Sequence, residues 1–173
     1  MFRGIAEINL DPKGRLAIPA KYREVLAELC RGELVATIDI RDTCLRIYPL
    51  PVWQELEVQL EALPSTDPGV RRIQRLLLGY ASDLQMDGNG RVLLPPSLRK
   101  YAQLDKKMVL VGMGKKFELW SEENWQRCHD ARELAHLQRS GDGMDERRSS
   151  AGHRRRQRHR TALRRKDPRG ARQ

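Results

Sequence analysis

The residues of this chain best suited to bind a ligand are an aspartate and an arginine that occur at one spacing in two related turns. Asp11-Pro12-Lys13-Gly14-Arg15 recurs 76 positions later as Asp87-Gly88-Asn89-Gly90-Arg91, and three apolar residues and a proline follow each turn. In each turn the aspartate can accept hydrogen bonds from the backbone that follows it, and the glycine permits a positive φ at the exit. The arginine after the glycine can contact phosphates or base edges of nucleic acid.

An aspartate and an arginine four positions apart can also form an ion pair that only fixes the loop, and this structural role is compatible with ligand binding. The two turns differ in one cation, because Lys13 lies beside Arg15 whereas Asn89 lies beside Arg91. Two cations on one protruding turn can contact a phosphate and a base edge together. We therefore expect the first turn to be the stronger nucleic-acid contact.

The duplication extends beyond the turns, which indicates two copies of one structural unit. Later segments of the copies align in the same order: 22–23 with 98–99, 34–37 with 108–111, 45–48 with 117–120, and 53–54 with 125–126. Each copy predicts a strand, the turn, a short strand, a short helix, two further strands and a longer helix. A unit this small has too little apolar surface to fold alone, so we expect the copies to share one core.

Apolar periodicity predicts helices near 20–28, 51–63, 69–78 and 97–102, and a further helix from Ser121, whose hydroxyl can cap it. Val25 is expected on the apolar face of the first of these helices, and Leu63 on that of the second.

The positive charge of the chain is concentrated in its last segment. Residues 139–173 contain 13 of the 33 Lys and Arg residues and 4 of the 23 Asp and Glu residues, a formal charge of +9, which leaves +1 for residues 1–138. This Arg-rich tail contains almost no apolar residues, so we expect it to be disordered, with its charges available to phosphates.

Composition excludes several kinds of active site. All four histidines lie at or beyond His129, which removes histidine-based acid–base catalysis from the predicted folded region. Cys30, Cys44 and Cys128 are widely spaced and odd in number, so neither a disulfide framework nor a zinc site is expected. No apolar run is long enough to span a bilayer. We expect a cytoplasmic protein without enzyme activity, metal or other cofactor, small-molecule substrate or membrane partner.

The blocks around and between the turns closely resemble the MraZ family of bacterial transcriptional regulators. The resemblance covers roughly residues 1–130 and rests on Met1-Phe2-Arg3-Gly4, Leu10-Asp11-x-Lys13-Gly14-Arg15, Asp39-Ile40, Tyr48-Pro49-Leu50-Pro51-x-Trp53, Arg72, Gln74-Arg75-Leu76-Leu77-Leu78-Gly79, Met86-Asp87-Gly88-x-Gly90-Arg91 and Lys116-Phe117-Glu118-Leu119-Trp120. It implies an α+β, mainly β fold, namely a duplicated AbrB/MraZ-like swapped-hairpin barrel with flanking helices and the disordered basic tail.

The resemblance also implies a division of the chain into five segments. These are a first SpoVT-AbrB-type repeat at 5–52, connecting helices at 53–80, a second SpoVT-AbrB-type repeat at 81–124, a C-terminal helix at 125–138 and the tail at 139–173.

The function that the resemblance implies is sequence-specific binding of double-stranded promoter DNA. Members of the family mainly repress their own division and cell-wall gene cluster, as ring-shaped homo-oligomers on repeated promoter elements, so we expect a nucleoid-associated protein. The family's Asp-x-x-x-Arg motif falls on both turns, with Arg15 the expected DNA contact. The expected DNA-binding set is Arg15, Lys13, Asp11 as the residue that orients the loop, Gly14, Arg91 and Asp87.

Two other functions remain open at this point. A structural or toxin–antitoxin-like assembly module of the same barrel class could share the fold, and an enzyme on a related double-ψ barrel is more remote. The tail departs from the family, whose members usually end in a short acidic helical segment. A shifted reading frame after about residue 130 is the alternative explanation for this tail.

Overall fold

A computed structural model describes residues 1–130 of the chain. Met1–Arg127 form one compact unit, and Cys128–Gln173 belong to a second, of which only residues 128–130 are described. The elements of the first unit are β1 (Phe2–Asn9), β2 (Arg15–Ala17), α1 (Ala20–Cys30), β3 (Glu33–Ile38), β4 (Leu45–Pro49), α2 (Leu50–Glu61), α3 (Pro68–Gly79), β5 (Ser82–Gln85), β6 (Arg91–Leu93), α4 (Pro96–Tyr101), β7 (Lys107–Gly114) and β8 (Lys116–Ser121). Residues 122–130 are helical.

The first strand of each repeat pairs with a strand of the other repeat. β1 is antiparallel to β7, with Phe2 opposite Gly114 and Asn9 opposite Lys107. β5 is likewise antiparallel to β3. These pairings place the strands of one six-stranded sheet in the order β1-β7-β8-β4-β3-β5, and β2 and β6 form a separate antiparallel ribbon. The two repeats are therefore intertwined.

The structure confirms a mixed α and β fold with mostly antiparallel pairing. β1 and β5 are the edges of the six-stranded sheet, and the described residues form no closed barrel. The predicted C-terminal helix beyond residue 130 and the tail at 139–173 lie outside the described residues.

Equivalent apolar residues of the two repeats share one core, as the duplication predicted. Its fully buried members include Leu16, Ile18 and Leu26 from the first repeat, and their equivalents Val92, Leu94 and Ala102 from the second. The rings of Phe2, Tyr22 and Phe117 pack together, with the centroids of Phe2 and Phe117 4.2 Å apart. Because both repeats contribute to this core, neither can bury its apolar residues without the other.

The helices begin and end close to the predicted positions, with two errors in their apolar faces. Val25 is 42% exposed because α1 buries only Tyr22, Leu26 and Cys30, a narrower stripe. Leu63 is 41% exposed because α2 ends at Glu61, before the stripe reaches it. The predicted cap at Ser121 is confirmed, since its Oγ accepts a hydrogen bond from the Asn124 backbone at 3.2 Å.

Candidate nucleic-acid interface

The ribbon of β2 and β6 brings the two candidate arginines together on one surface. Leu16 and Val92 lie opposite each other and are buried beneath it. Residues directly opposite in a ribbon share a face, and successive residues alternate between faces. The outward face therefore consists of Arg15, Leu93, Ala17 and Arg91, with Arg15 opposite Leu93 and Ala17 opposite Arg91. Arg15 and Arg91 are diagonal neighbours, with Cα atoms about 7–8 Å apart.

The first turn is held by the carboxylate of Asp11. Its Oδ1 accepts hydrogen bonds from the backbone N–H groups of Lys13 at 2.9 Å and Arg15 at 2.8 Å. Its Oδ2 accepts a third from Nε of Arg15 at 2.8 Å. The N–H of Gly14, at φ +81°, donates to the carbonyl of Asp11 at 2.9 Å. Asp11 thus orients both the backbone of the turn and the arginine at its exit.

The second turn repeats this geometry. Oδ1 of Asp87 accepts from the backbone of Asn89 at 2.9 Å and of Arg91 at 2.8 Å, and Oδ2 accepts from Nε of Arg91 at 3.0 Å. Gly90 has φ +74° and donates to the carbonyl of Asp87 at 2.8 Å. The predicted equivalence of the turns is therefore confirmed at the level of individual hydrogen bonds.

The same hydrogen bonds stabilise both aspartates as anions. The backbone N–H of Arg15 lowers the pKa of Asp11 most, and the guanidinium of Arg15 lowers it further, against partial desolvation. The pKa of Asp87 is lowered in the same way by Arg91. Each carboxylate is therefore charged at neutral pH and can hold its arginine there.

Each ion pair leaves part of its arginine available to a ligand. Asp11 bonds only Nε of Arg15, and within residues 1–130 the terminal nitrogens of Arg15 have no hydrogen-bond partner. The side chains of Arg15 and Arg91 are 31% and 37% exposed. A guanidinium fixed through Nε can still donate from its Nη groups to phosphate or base acceptors.

Two further arginines, Arg23 and Arg99, contact the turns, although the sequence pattern predicted no role for either. A Cβ on Gly14 would lie 2.7 Å from Cζ of Arg99, and one on Gly90 would lie 2.8 Å from Cζ of Arg23. Each turn therefore packs against an arginine from the short helix of the other repeat. The signal available in the sequence was the matched pair Tyr22-Arg23 and Leu98-Arg99, but helix periodicity does not show which turn a surface arginine contacts.

The ends of the ribbon are fixed by two reciprocal backbone hydrogen bonds. The N–H of Ile18 donates to the carbonyl of Gly90 at 2.8 Å, and the N–H of Leu94 donates to the carbonyl of Gly14 at 2.9 Å. The two turns thus lie at opposite ends of the ribbon, each joined to the strand from the other repeat.

Other kinds of site are not found in the described part of the chain. Residues 1–130 contain no group of three His, Cys, Asp or Glu side chains able to hold a metal ion. None of the helices among these residues combines the length and apolarity needed to cross a bilayer.

The fold and the site define a duplicated α and β protein. It displays two arginines on one face of an antiparallel ribbon, and each arginine is hydrogen-bonded to an aspartate of its own turn. Comparison with known sequences identifies the family. Residues 1–76 and 77–141 each match the family described as "MraZ protein, putative antitoxin-like". The chain belongs to the MraZ family.

Several relatives named transcriptional regulator MraZ align over most of the chain. The protein of Halorhodospira halophila is 57% identical over 127 residues, 73% of this chain and 84% of the relative. That of Alkalilimnicola ehrlichii is 59% identical over 128 residues, 74% and 85% of the two chains. That of Pseudomonas aeruginosa strain PAO1 is 51% identical over 146 residues, 84% and 96% of the two chains. The family resemblance found in the sequence is confirmed.

Proposed function

We propose that this chain is a sequence-specific DNA-binding transcriptional regulator that represses its own division and cell-wall gene cluster. The proposal extends to this chain the function for which its relatives are named. DNA is contacted by the outward face of the β2–β6 ribbon, where Arg15 and Arg91 are the base or phosphate contacts and Asp11 and Asp87 orient them. Lys13 and Gly14 complete the first contact.

The observation that supports this proposal most is the placement of both arginines on one exposed ribbon face. The major groove of B-DNA admits a two-stranded β ribbon, and an arginine in it can donate two hydrogen bonds to a guanine. The two arginines lie on the same exposed face, and each is held by a carboxylate, so both are pre-positioned for such a groove.

An electrophoretic mobility shift at stated salt concentration tests the proposal. The probe is the DNA upstream of the chain's own gene, and the competitor is a shuffled duplex of equal length and composition. We expect the upstream duplex to be retained when competitor is in excess. Equal competition by the shuffled duplex would contradict sequence-specific regulation.

We further propose that the chain acts as a ring-shaped homo-oligomer on repeated promoter elements, in the cytoplasm and associated with the nucleoid. The outward face of one ribbon offers four side chains, whereas specific protein–DNA interfaces bury on the order of 1,000 Å² or more. Several copies therefore have to act together. Sedimentation at micromolar concentration should show an oligomer, and a monomer that still binds the upstream DNA specifically would contradict this part of the proposal.

The finer fold and segment assignments belong to the same proposal. The exchange of β1 and β5 between the repeats supports a swapped-hairpin arrangement of the AbrB/MraZ kind. We assign 5–52 and 81–124 to the two repeats, 53–80 to the connecting helices, 125–138 to the C-terminal helix and 139–173 to the tail.

A structural or antitoxin-like assembly module remains the second candidate, because the family description includes the term antitoxin-like. Such a module would form the oligomer without preferring the upstream DNA. The mobility shift and the sedimentation measurement together separate the two functions.

A further inference from the structure

A groove of about 540 Å³ lies next to the first turn, and two cations line it. Lys13 comes from the turn of the first repeat, and Arg99 comes from α4 of the second. Leu93 and Pro95 contribute apolar walls, and Asp83 is the one carboxylate among the lining residues. The lining therefore has a formal charge of +1, so it attracts an anion.

Arg99 lines this groove without an acceptor from the described part of the chain. Its Nε is buried, and residues 1–130 provide it with no hydrogen-bond partner. The guanidinium occupies the space that a side chain on Gly14 would need, since a Cβ there would be 2.7 Å from Cζ. The terminal nitrogens of Arg99 also have no hydrogen-bond partner among residues 1–130 and are not fully buried, so an anion in the groove can accept hydrogen bonds from them.

The equivalent position at the other end of the ribbon is built differently. Arg23 packs against Gly90 as Arg99 packs against Gly14, but its Nε donates to the carbonyl of Ile18 at 2.6 Å. Asn89 also replaces the second cation, Lys13, at that turn. The Nε of Arg23 thus has a hydrogen-bond partner, whereas that of Arg99 has none among residues 1–130.

We propose that Lys13 and Arg99 together hold one DNA backbone phosphate in the groove beside the first turn, and that the second turn lacks this contact. The inference rests on the proposed DNA-binding function and adds a site to it. A phosphate oxygen gives the guanidinium of Arg99 the acceptor that residues 1–130 do not provide, and the ammonium of Lys13 adds a second positive charge. Because only one end of the ribbon holds a phosphate, the contact sets the direction in which the ribbon lies on DNA.

The test is the salt dependence of DNA binding by the full chain, measured by fluorescence anisotropy with the upstream duplex and with a shuffled duplex. The slope of log K against log salt changes by about 0.9 for each phosphate contact. We expect Arg99→Gln to reduce the magnitude of the slope by about 0.9 on both duplexes. The matched variant Arg23→Gln should keep the slope of the wild type.

The double variant Lys13→Asn with Arg99→Gln should lose no more than either single variant, about 0.9, because the one phosphate contact requires both cations. Arg99→Lys keeps the charge and should keep the slope, which separates the phosphate contact from a purely structural role. If Arg99→Gln melts early, Lys13→Asn alone should still show the loss, since the Lys13 side chain is exposed on the turn. An unchanged slope in Arg99→Gln, an equal loss in Arg23→Gln, or a loss of about 1.8 in the double variant would each overturn the proposal.

The salt slopes test the phosphate contact of Lys13 and Arg99 separately from the proposed sequence-specific regulation. A wild type that binds both duplexes equally contradicts sequence-specific regulation. The slopes on the shuffled duplex still decide whether Lys13 and Arg99 share a phosphate, because a phosphate contact does not depend on base sequence.

Discussion

For Arg15, the structural role and the proposed DNA-binding role use different atoms of one guanidinium. Nε is bonded to Asp11, and the Nη nitrogens have no partner within residues 1–130. Half-exposed ion pairs stabilise a protein by about 1 kcal/mol or less. The pair therefore contributes little to folding, and its main consequence is that the arginine is held before DNA arrives, which reduces the entropy lost on binding.

Arg15→Ala should abolish preference for the upstream DNA and leave the fold intact. We expect affinity for that duplex to fall about 5- to 150-fold, equivalent to about 1–3 kcal/mol for one base contact. Arg91→Ala should have a smaller effect, because Asn89 rather than a lysine lies beside it. Anisotropy titrations measure the affinities.

The thermal melt is the control for this comparison. Loss of the ion pair between Arg15 and Asp11 should lower the melting temperature by roughly 4 °C or less. If Arg15→Ala instead unfolds the protein or dissociates the oligomer, the arginine is structural and the DNA contact lies elsewhere.

Asp11 and Asp87 should titrate below their ordinary pKa of 3.8, because the folded turns donate N–H groups to their carboxylates. Their contribution to stability is therefore complete above pH 3.8 and is lost as the pH falls through the lowered pKa values. Arg15→Ala should raise the pKa of Asp11 only part of the way to its ordinary value, because the backbone N–H at position 15 still donates to the carboxylate. NMR titration of the side-chain carboxyl carbons measures both, and a midpoint for Asp11 at or above 3.8 in the wild type would contradict the turn geometry.

Among the elements, those determined by local residue chemistry could be predicted from the sequence. A turn is predicted at Asp11-Pro12-Lys13-Gly14 because its aspartate and glycine have specific roles in a turn. The equivalent sequence that begins at Asp87 supports the same prediction a second time. The cap at Ser121 was predictable for the same reason. Such features depend on neighbours within four residues, which the sequence shows directly.

The exchange of strands between repeats and the position of Arg99 could not be predicted from residue patterns. The alternation in β1 is satisfied equally well by a partner strand from either repeat, so it does not select β7. The contact between Arg99 and Gly14 joins residues 85 positions apart and follows only from that exchange. Resemblance to a family could suggest the swapped arrangement, but periodicity could not.

The exchange predicts that half of the chain cannot fold by itself. A fragment of residues 1–64 retains β1, β2 and β3, but each loses a partner, namely β7, β6 and β5 respectively. We expect the fragment to be unfolded, or to associate with a second copy that supplies equivalent strands. Sedimentation and thermal unfolding measure this. A monomer that melts cooperatively would show that a single repeat is self-sufficient.

Across the whole molecule, the folded part and the tail differ in charge, and we expect them to contribute differently to DNA binding. Residues 1–138 have a formal charge of only +1, so we expect specific binding to come from a few placed cations, which we propose to be Arg15, Arg91 and Lys13. Residues 139–173 have +9, a charge that attracts any phosphate backbone whatever its sequence. The two parts should therefore contribute separately to affinity and to specificity.

Removing residues 139–173 should weaken binding to shuffled DNA while preserving preference for the upstream duplex. Each phosphate that the tail neutralises adds about 0.9 to the salt slope, so the truncated chain should show a flatter slope on both duplexes. The specificity ratio should stay the same or rise, because the ribbon face and the groove beside Lys13 lie outside the deleted segment. Anisotropy over a salt series measures both quantities, and sequencing the 3′ end of the gene tests whether the tail is encoded or results from a shifted reading frame. Loss of preference for the upstream duplex on truncation would show that the ribbon alone does not select the DNA sequence.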